Sequence, residues 1–200
     1  MLVVSAARAR GFTLIELMAS IAILGLLLLL GMPSFITYLR NTEIRSTSES
    51  IINGLRTASA EATRRNTRVA FTLTDANGSW LIRAISDPAV DIDCTGFAAD
   101  VIQRFVASET HAGAKATVTP GGKASVCFTG LGRVWKQGTP GDHIQIIDVA
   151  TINTGGEGRP LRIIVDDAAA AADPAKPRGL RMCDPDPALA ALTPPDPRAC

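Results

Sequence analysis

Few of the reactive side chains in this sequence are spaced for catalysis. The two histidines, His111 and His143, lie far apart, and neither has a neighbour at metal-ligand spacing. No serine occupies a Gly-x-Ser-x-Gly motif, and the glycine-rich segments 130–133 and 155–158 lack the lysine of a phosphate-binding loop. The sequence therefore predicts no enzyme activity, no cofactor and no metal site.

One carboxylate stands in an unusual place. Glu16 immediately precedes residues 17–39, a run without charge that is long enough to cross a hydrocarbon core of about 30 Å as a helix. A lone carboxylate is costly there unless it finds a partner. Cleavage after Gly11 would free a positive amine on Phe12, and the Glu16 of a neighbouring subunit could neutralise that amine. Such a pair would also fix the register between subunits.

The segment before the apolar run limits the alternatives. Residues 1–11 contain Arg8 and Arg10, so this leader is expected to stay in the cytoplasm and the chain after Arg40 to lie outside it. A secretory signal peptide would be cut after the apolar run, but the Ala-x-Ala pattern is missing there. A plain signal anchor fits the hydropathy equally well, although it would gain nothing from Glu16.

The composition fits one domain of ordinary size plus an appendage. Of the 200 residues, 46% are hydrophobic and 20% are charged, which excludes a disordered chain and an integral membrane bundle. The formal net charge is +1, and two of the basic residues belong to the leader. A globally basic chain that binds nucleic acid is therefore not indicated.

The four cysteines, Cys94, Cys127, Cys183 and Cys200, form no Cys-x-x-Cys pair. If the domain lies in an oxidising compartment, their even number favours two disulfides. The sequence allows three pairings. We favour Cys94 with Cys127 and Cys183 with Cys200, because these pairs close the shortest loops.

The rest of the chain changes its period near Val69. Before it, apolar residues recur at helical spacing, and Asn53-Gly54 could mark a bend. After it, the period is two, and Asn77-Gly78 predicts a hairpin turn. The predicted strands cover residues 69–74, 80–85, 102–106, 116–119, 125–128, 144–149 and 161–165. This pattern predicts an α+β fold, in which a long N-terminal helix with a membrane-spanning first half packs on an antiparallel β-sheet domain.

Two further segments have alternative interpretations. Arg56, Arg64, Arg65 and Arg68 could form a partner surface, although we favour a solvated helix face. Residues 167–200 are rich in alanine and proline. We expect them to form an extended surface tail rather than a strand deep in a sheet, or else a partly disordered end.

The N-terminal residues resemble a known signal. Gly11-Phe12-Thr13-Leu14-Ile15-Glu16 is similar to the type III signal of type IV prepilins and type II secretion pseudopilins. The resemblance implies that a prepilin peptidase cuts between Gly11 and Phe12 and N-methylates Phe12. It gives Glu16 the acidic position used in subunit assembly, and Pro33 the position of a helix-kinking proline.

The same resemblance implies a domain organisation and a location. Residues 1–11 would be the leader, 12–39 the transmembrane and filament-core helix, 40–166 a periplasmic pilin-like domain, and 167–200 the tail. The chain would cross the inner membrane once and then enter a pilus or pseudopilus. Its partners would be other pilins, the prepilin peptidase and the inner membrane.

Later segments resemble the FimT/GspH minor pilin family. The similar segments are residues 53–66, 126–133 and 158–165. We favour a type IV pilus minor pilin of the FimT or FimU kind, which primes assembly or lies near the tip, over the type II secretion pseudopilin H. Residues 13–18 and 32–35 look more like those of the pilus branch.

DNA binding is a further hypothesis, because some FimT-type proteins are linked to DNA uptake through a Gly-Arg-x-Arg element. This chain departs from that element in two places. Residues 178–181 read Arg-Gly-Leu-Arg, so that Arg178 and Arg181 remain but the first glycine and arginine are exchanged. Residues 158–162 read Gly-Arg-Pro-Leu-Arg, so that one extra residue separates Arg159 from Arg162. Their guanidinium groups could contact phosphates. No aromatic residue follows Trp135, so base stacking by the tail is not expected.

Overall fold

The computed structural model describes residues 11–85, 100–107, 113–135, 143–152, 158–165, 179–194 and 196–200. The chain divides into two compact units, Met1–Tyr38 and Leu39–Cys200. Helix α1, Leu14–Arg65, begins in the first unit and ends in the second. Within the described residues, it is the one helix long and apolar enough to cross a membrane.

The second unit contains two antiparallel sheets of four strands each. The first sheet has the order β3-β2-β1-β5 and the second the order β4-β6-β7-β8. The elements are β1 (Val69–Leu73), β2 (Trp80–Ala84), β3 (Val101–Phe105), β4 (Ala114–Thr119), β5 (Ser125–Phe128), β6 (Ile146–Thr151), β7 (Leu161–Ile164), β8 (Arg181–Cys183) and helix α2 (Pro187–Ala190). The predicted α+β, pilin-like fold is confirmed, although the strands form two sheets rather than one.

One apolar stripe of α1 packs against both sheets. The stripe consists of the apolar residues whose helical spacing was noted in the sequence. All of them are buried: Ile44, Ile51, Ile52, Leu55, Ala58 and Ala62. They share a core with Phe71 and Val126 of the first sheet and with Ile147 and Ile163 of the second. The second half of α1 therefore closes the core of both sheets.

Gly54 lies at the closest approach of α1 to the first sheet. A Cβ atom at this position would lie 2.9 Å from Cε2 of Phe71 and 2.9 Å from Cε2 of Trp80. The indole Nε1 of Trp80 donates a hydrogen bond to Ser50 Oγ at 3.1 Å, which orients the ring along the helix. The α-helix continues through Gly54. We therefore attribute this glycine to close packing, and the bend that the sequence suggested stays a prediction.

The connection between β1 and β2 is longer than a two-residue hairpin turn. Asn77-Gly78 lies in it, as predicted, and Gly78 has a positive φ of 90°. Asp75 organises this loop, because its Oδ1 accepts hydrogen bonds from the N–H groups of Asn77 at 2.8 Å and Ser79 at 3.0 Å. Burial raises the pKa of Asp75, but hydrogen bonds from the side chain of Ser79 and from the backbone of Ser79, Asn77 and Gly78 outweigh burial, and the pKa is lowered.

The sequence analysis missed strand β8. Residues 181–183 lie in the proline-rich tail, yet they pair with β7 at the edge of the second sheet. An edge strand of three residues needs little β-propensity of its own, because the neighbouring strand supplies the hydrogen-bond partners. The other strands lie within a few residues of the predicted ranges.

Replacing Gly54 by alanine should destabilise the domain. By helix propensity alone, alanine would stabilise the helix by about 1 kcal/mol relative to glycine. However, overpacking of the added methyl group against two aromatic rings typically costs about 1–3 kcal/mol. We expect a lower midpoint of urea unfolding for Gly54→Ala. Gly121→Ala is the control, since a Cβ atom there meets nothing within 4 Å. An increase in stability for Gly54→Ala would contradict the packing argument.

Candidate assembly site

The first turn of α1 gives Glu16 a defined backbone position. Thr13 precedes the helix, and its Oγ1 accepts a hydrogen bond from the N–H of Glu16 at 3.3 Å. This is the contact of an N-cap residue with the third residue of the helix, and a carboxylate in the first turn is favoured by the helix dipole. The Thr-x-x-Glu spacing is a capping-box pattern that the sequence analysis overlooked. The Glu16 carboxylate is therefore placed to complement the helix dipole, besides its predicted role between subunits.

The apolar side chains that follow Glu16 remain exposed. None of the apolar window of α1 is buried. Leu29 is 73% exposed and Leu30 is 71% exposed. Water-soluble monomers rarely leave so large an apolar surface uncovered. Such a surface is typical of a segment that is covered by a membrane or by the helices of other subunits.

Polar side chains along the apolar segment bond to the backbone of their own helix. Ser20 Oγ donates to the carbonyl of Glu16 at 2.7 Å, and Thr37 Oγ1 donates to the carbonyl of Pro33 at 3.2 Å. Pro33 lies inside α1 and lacks the N–H group that would bond to the carbonyl of Leu29. The helix kink expected at Pro33 stays a prediction.

The basic group near the end of α1 makes several contacts within the domain. The carboxylate of Glu61 forms ion pairs with Arg64 at 2.7 Å and with Arg65 at 3.0 Å. Hydrogen bonds from these two guanidinium groups lower the pKa of Glu61 to about 2. The guanidinium carbon of Arg68 lies 3.8 Å from the centre of the Trp135 ring, as in a cation–π contact. Arg64 and Arg65 thus lie on an exposed helix face, as we favoured for the group, whereas Arg68 lies beyond the end of α1 and packs on Trp135.

The structure places three of the arginines that were considered for DNA binding in or beside the neighbouring strands β7 and β8. Arg162 donates two hydrogen bonds to Asp148, at 2.7 and 3.0 Å, and this ion pair raises its pKa. Arg159 pairs with Asp184 at 3.3 Å. Arg181 is half-buried in β8, and Arg178 lies outside the described residues. The guanidinium groups of Arg159 and Arg162 are thus bound to carboxylates.

The predicted Cys183–Cys200 disulfide is confirmed, with a Cα–Cα distance of 5.1 Å. Cys127 is also disulfide-bonded, and Cys94, which we assigned to it, lies outside the described residues. His143 is buried, whereas His111 lies outside the described residues. In the described part of the chain, no group of three or more His, Cys, Asp or Glu side chains could hold a metal ion.

The comparisons with known proteins agree with the fold and with the N-terminal site. Residues 47–169 match the family model of the type II transport protein GspH, and residues 6–32 match that of the prokaryotic N-terminal methylation motif. No curated protein and no solved structure matched the chain.

The fold and the N-terminal motif together define a type IV pilin-like subunit of the minor pilin or pseudopilin class. Since the first family model covers more than half of the sequence, the chain belongs to the GspH family. Subunits of this class are structural, and they associate with other pilins and with the peptidase that processes their N-terminal motif. The resemblance to the FimT/GspH family inferred from the sequence is confirmed.

Removing the N-cap oxygen should loosen the first turn of α1. In Thr13→Val the Oγ1 acceptor is replaced by a methyl group of similar size, and loss of an N-cap costs about 0.5–2 kcal/mol. We expect faster amide hydrogen exchange at Glu16 in detergent micelles, whereas Thr13→Ser should retain the slow exchange. Equal exchange in the two variants would show that Thr13 does not cap the helix.

Proposed function

We propose that this chain is a minor structural subunit of a type IV pilus, which primes assembly or lies near the tip. Its precursor crosses the inner membrane once, with the domain in the periplasm. A prepilin peptidase cuts it between Gly11 and Phe12 and methylates the new amine of Phe12. The apolar half of α1 then leaves the membrane for the filament core, where Glu16 pairs with the N-terminal amine of a neighbouring subunit.

The position of Glu16 is the observation that carries this proposal. It is the single acidic residue at the start of an exposed apolar helix, and it is the fifth residue after the proposed cut. Burial of an unpaired carboxylate in an apolar filament core would cost several kcal/mol. A neighbour's amine would offset that cost and fix the axial register, which is the best-attested use of a buried ion pair.

The secretion filament is the second candidate, because the family description refers to type II transport. A pseudopilin would use the same peptidase, anchor and assembly contact, so Glu16 does not separate the two systems. We favour the pilus because residues 13–18 and 32–35 look more like those of the pilus branch. Deletion of the gene should therefore reduce surface pili and leave secretion of folded enzymes unchanged. The opposite pair of phenotypes would assign the chain to the secretion filament.

DNA binding is not part of this proposal. The ion pairs of Arg159 with Asp184 and of Arg162 with Asp148 would have to open before either guanidinium could bind a phosphate fully. Binding through counterion release would also weaken steeply with rising salt. Salt-sensitive retention of DNA that is lost in Arg178→Ala/Arg181→Ala would reopen the hypothesis.

Two substitutions of Glu16 separate its two roles. Glutamine can serve in a capping box as glutamate does, but it cannot neutralise an amine. We therefore expect Glu16→Gln and Glu16→Ala to lose incorporation into sheared filaments to a similar degree, at least tenfold if the lost ion pair is worth more than about 1.4 kcal/mol. Membrane insertion and cleavage should persist in both variants. Normal incorporation of Glu16→Gln would show that the charge is not needed.

A side chain at Gly11 should block processing without disturbing the fold. A Cβ atom at Gly11 meets no other atom within 4 Å. We expect Gly11→Val to accumulate in the membrane with its leader attached, as measured by the intact mass. Gly25→Val, inside α1, is the control, since its Cβ also meets nothing within 4 Å, and it should be cleaved. Cleavage of Gly11→Val at the usual position would contradict the assignment of the site.

A further inference from the structure

Arg159 lies between two parts of the domain that are far apart in sequence. Its backbone N–H donates a hydrogen bond to Asn41 Oδ1 at 2.8 Å. Its side chain forms the 3.3 Å ion pair with Asp184. Asn41 follows the apolar segment of α1 by two residues, and Asp184 follows the disulfide cysteine Cys183.

The approach of this segment to α1 is close. A Cβ atom at Gly158 would lie 2.8 Å from Thr151 Cγ2 and 3.1 Å from Ile44 Cδ1. The glycine thus lets the backbone before Arg159 reach the helix. This contact explains why Arg159 can present its N–H group to Asn41.

On the other side of Arg159, residues 183–200 form a loop closed by the disulfide. Asp184 is only 7% exposed, and it organises the loop through its backbone. Its N–H donates to the carbonyl of Arg198 at 2.7 Å, and its carbonyl accepts from the N–H of Cys200 at 3.0 Å. Its carboxylate also accepts a hydrogen bond from the N–H of Asp186 at 3.1 Å. The Arg159 side chain therefore contacts the residue on which both ends of the loop converge.

A second ion pair stabilises the same loop. Arg198 pairs with Asp196 at 2.7 Å, and hydrogen bonds from Arg198 lower the pKa of Asp196 to about 2. The loop is thus contacted by two ion pairs, that of Arg198 with Asp196 and that of Arg159 with Asp184.

We propose that Arg159 is a positioning residue that joins the disulfide-closed loop of residues 183–200 to residues 39–45 of α1. Its side chain pairs with Asp184 of the loop, and its backbone N–H bonds to Asn41 of the helix. Arg159 therefore fixes the position of the loop relative to the helix segment that follows the membrane anchor. The consequence for assembly rests on the proposed function: opening the loop loosens the part of α1 nearest the filament-core segment.

Hydrogen exchange of the full-length, processed chain in detergent tests this coupling. Opening the loop in Cys183→Ser/Cys200→Ser should lower the protection of residues 39–45 by roughly three- to tenfold, the range expected for the net loss of one typical hydrogen bond. Arg159→Ala should lower it by a similar factor. In the combined variant the two effects should not add, because both remove the same connection.

Two control variants show whether the side chain of Arg159 is responsible. In Arg159→Lys the cation remains, so part of the protection should return. In Arg162→Ala, which removes the neighbouring ion pair with Asp148, opening the loop should still lower protection at residues 39–45. Additive effects of the Arg159 and cysteine substitutions, or unchanged protection after loop opening, would overturn the proposal. So would an equal loss of protection in β1, since this would indicate global destabilisation.

The exchange measurement and filament incorporation can fail independently. Coupling between the loop and residues 39–45, in a chain that is absent from sheared filaments, would support the role of Arg159 and contradict the proposed function. A chain that enters filaments but shows no coupling would leave the function in place and remove this inference.

Discussion

The uncovered apolar half of α1 is the constraint on which the rest of the structure depends. Its side chains are exposed in the single chain, and its first turn contains a carboxylate. Hydrophobic burial can be supplied by lipid or by neighbouring helices, but ionised Glu16 needs a cation or a hydrogen-bond donor wherever water is absent. A subunit that moves from lipid to a filament core exchanges one apolar environment for another. The Glu16 carboxylate is then the group of this segment whose free energy differs most between the lipid and the filament core.

The domain is built on the other half of the same helix. Ile51 and Leu55 are buried in a core that includes residues of both sheets. Gly54 lets the rings of Phe71 and Trp80 approach the helix backbone. Because one continuous helix serves the anchor and the core, the residues just after the anchor connect the two functions. Asn41 and Ile44, which contact the segment before β7, lie there.

Periodicity and composition predicted the larger features of the molecule. The apolar stripe from Ile44 to Ala62 and most strands follow from side-chain patterns that depend on local burial. The division into two sheets could not be predicted, because alternating apolar and polar residues indicate a strand but not the strand with which it pairs. Strand β8 was missed because its pairing comes from β7 and from the disulfide at Cys183, not from its own residues. The Arg159–Asp184 contact likewise joins segments with no shared sequence signal.

The assembly contact is most directly tested by zero-length carbodiimide crosslinking of intact filaments that contain the chain, followed by mass spectrometry. A carbodiimide joins a carboxylate to an amine only when the two already touch. We predict an amide that links Glu16 to the N-terminal residue of a neighbouring subunit. Recovery of Glu16 solely in unlinked peptides, in filaments whose surface ion pairs are efficiently crosslinked, would contradict a carboxylate–amine contact between subunits.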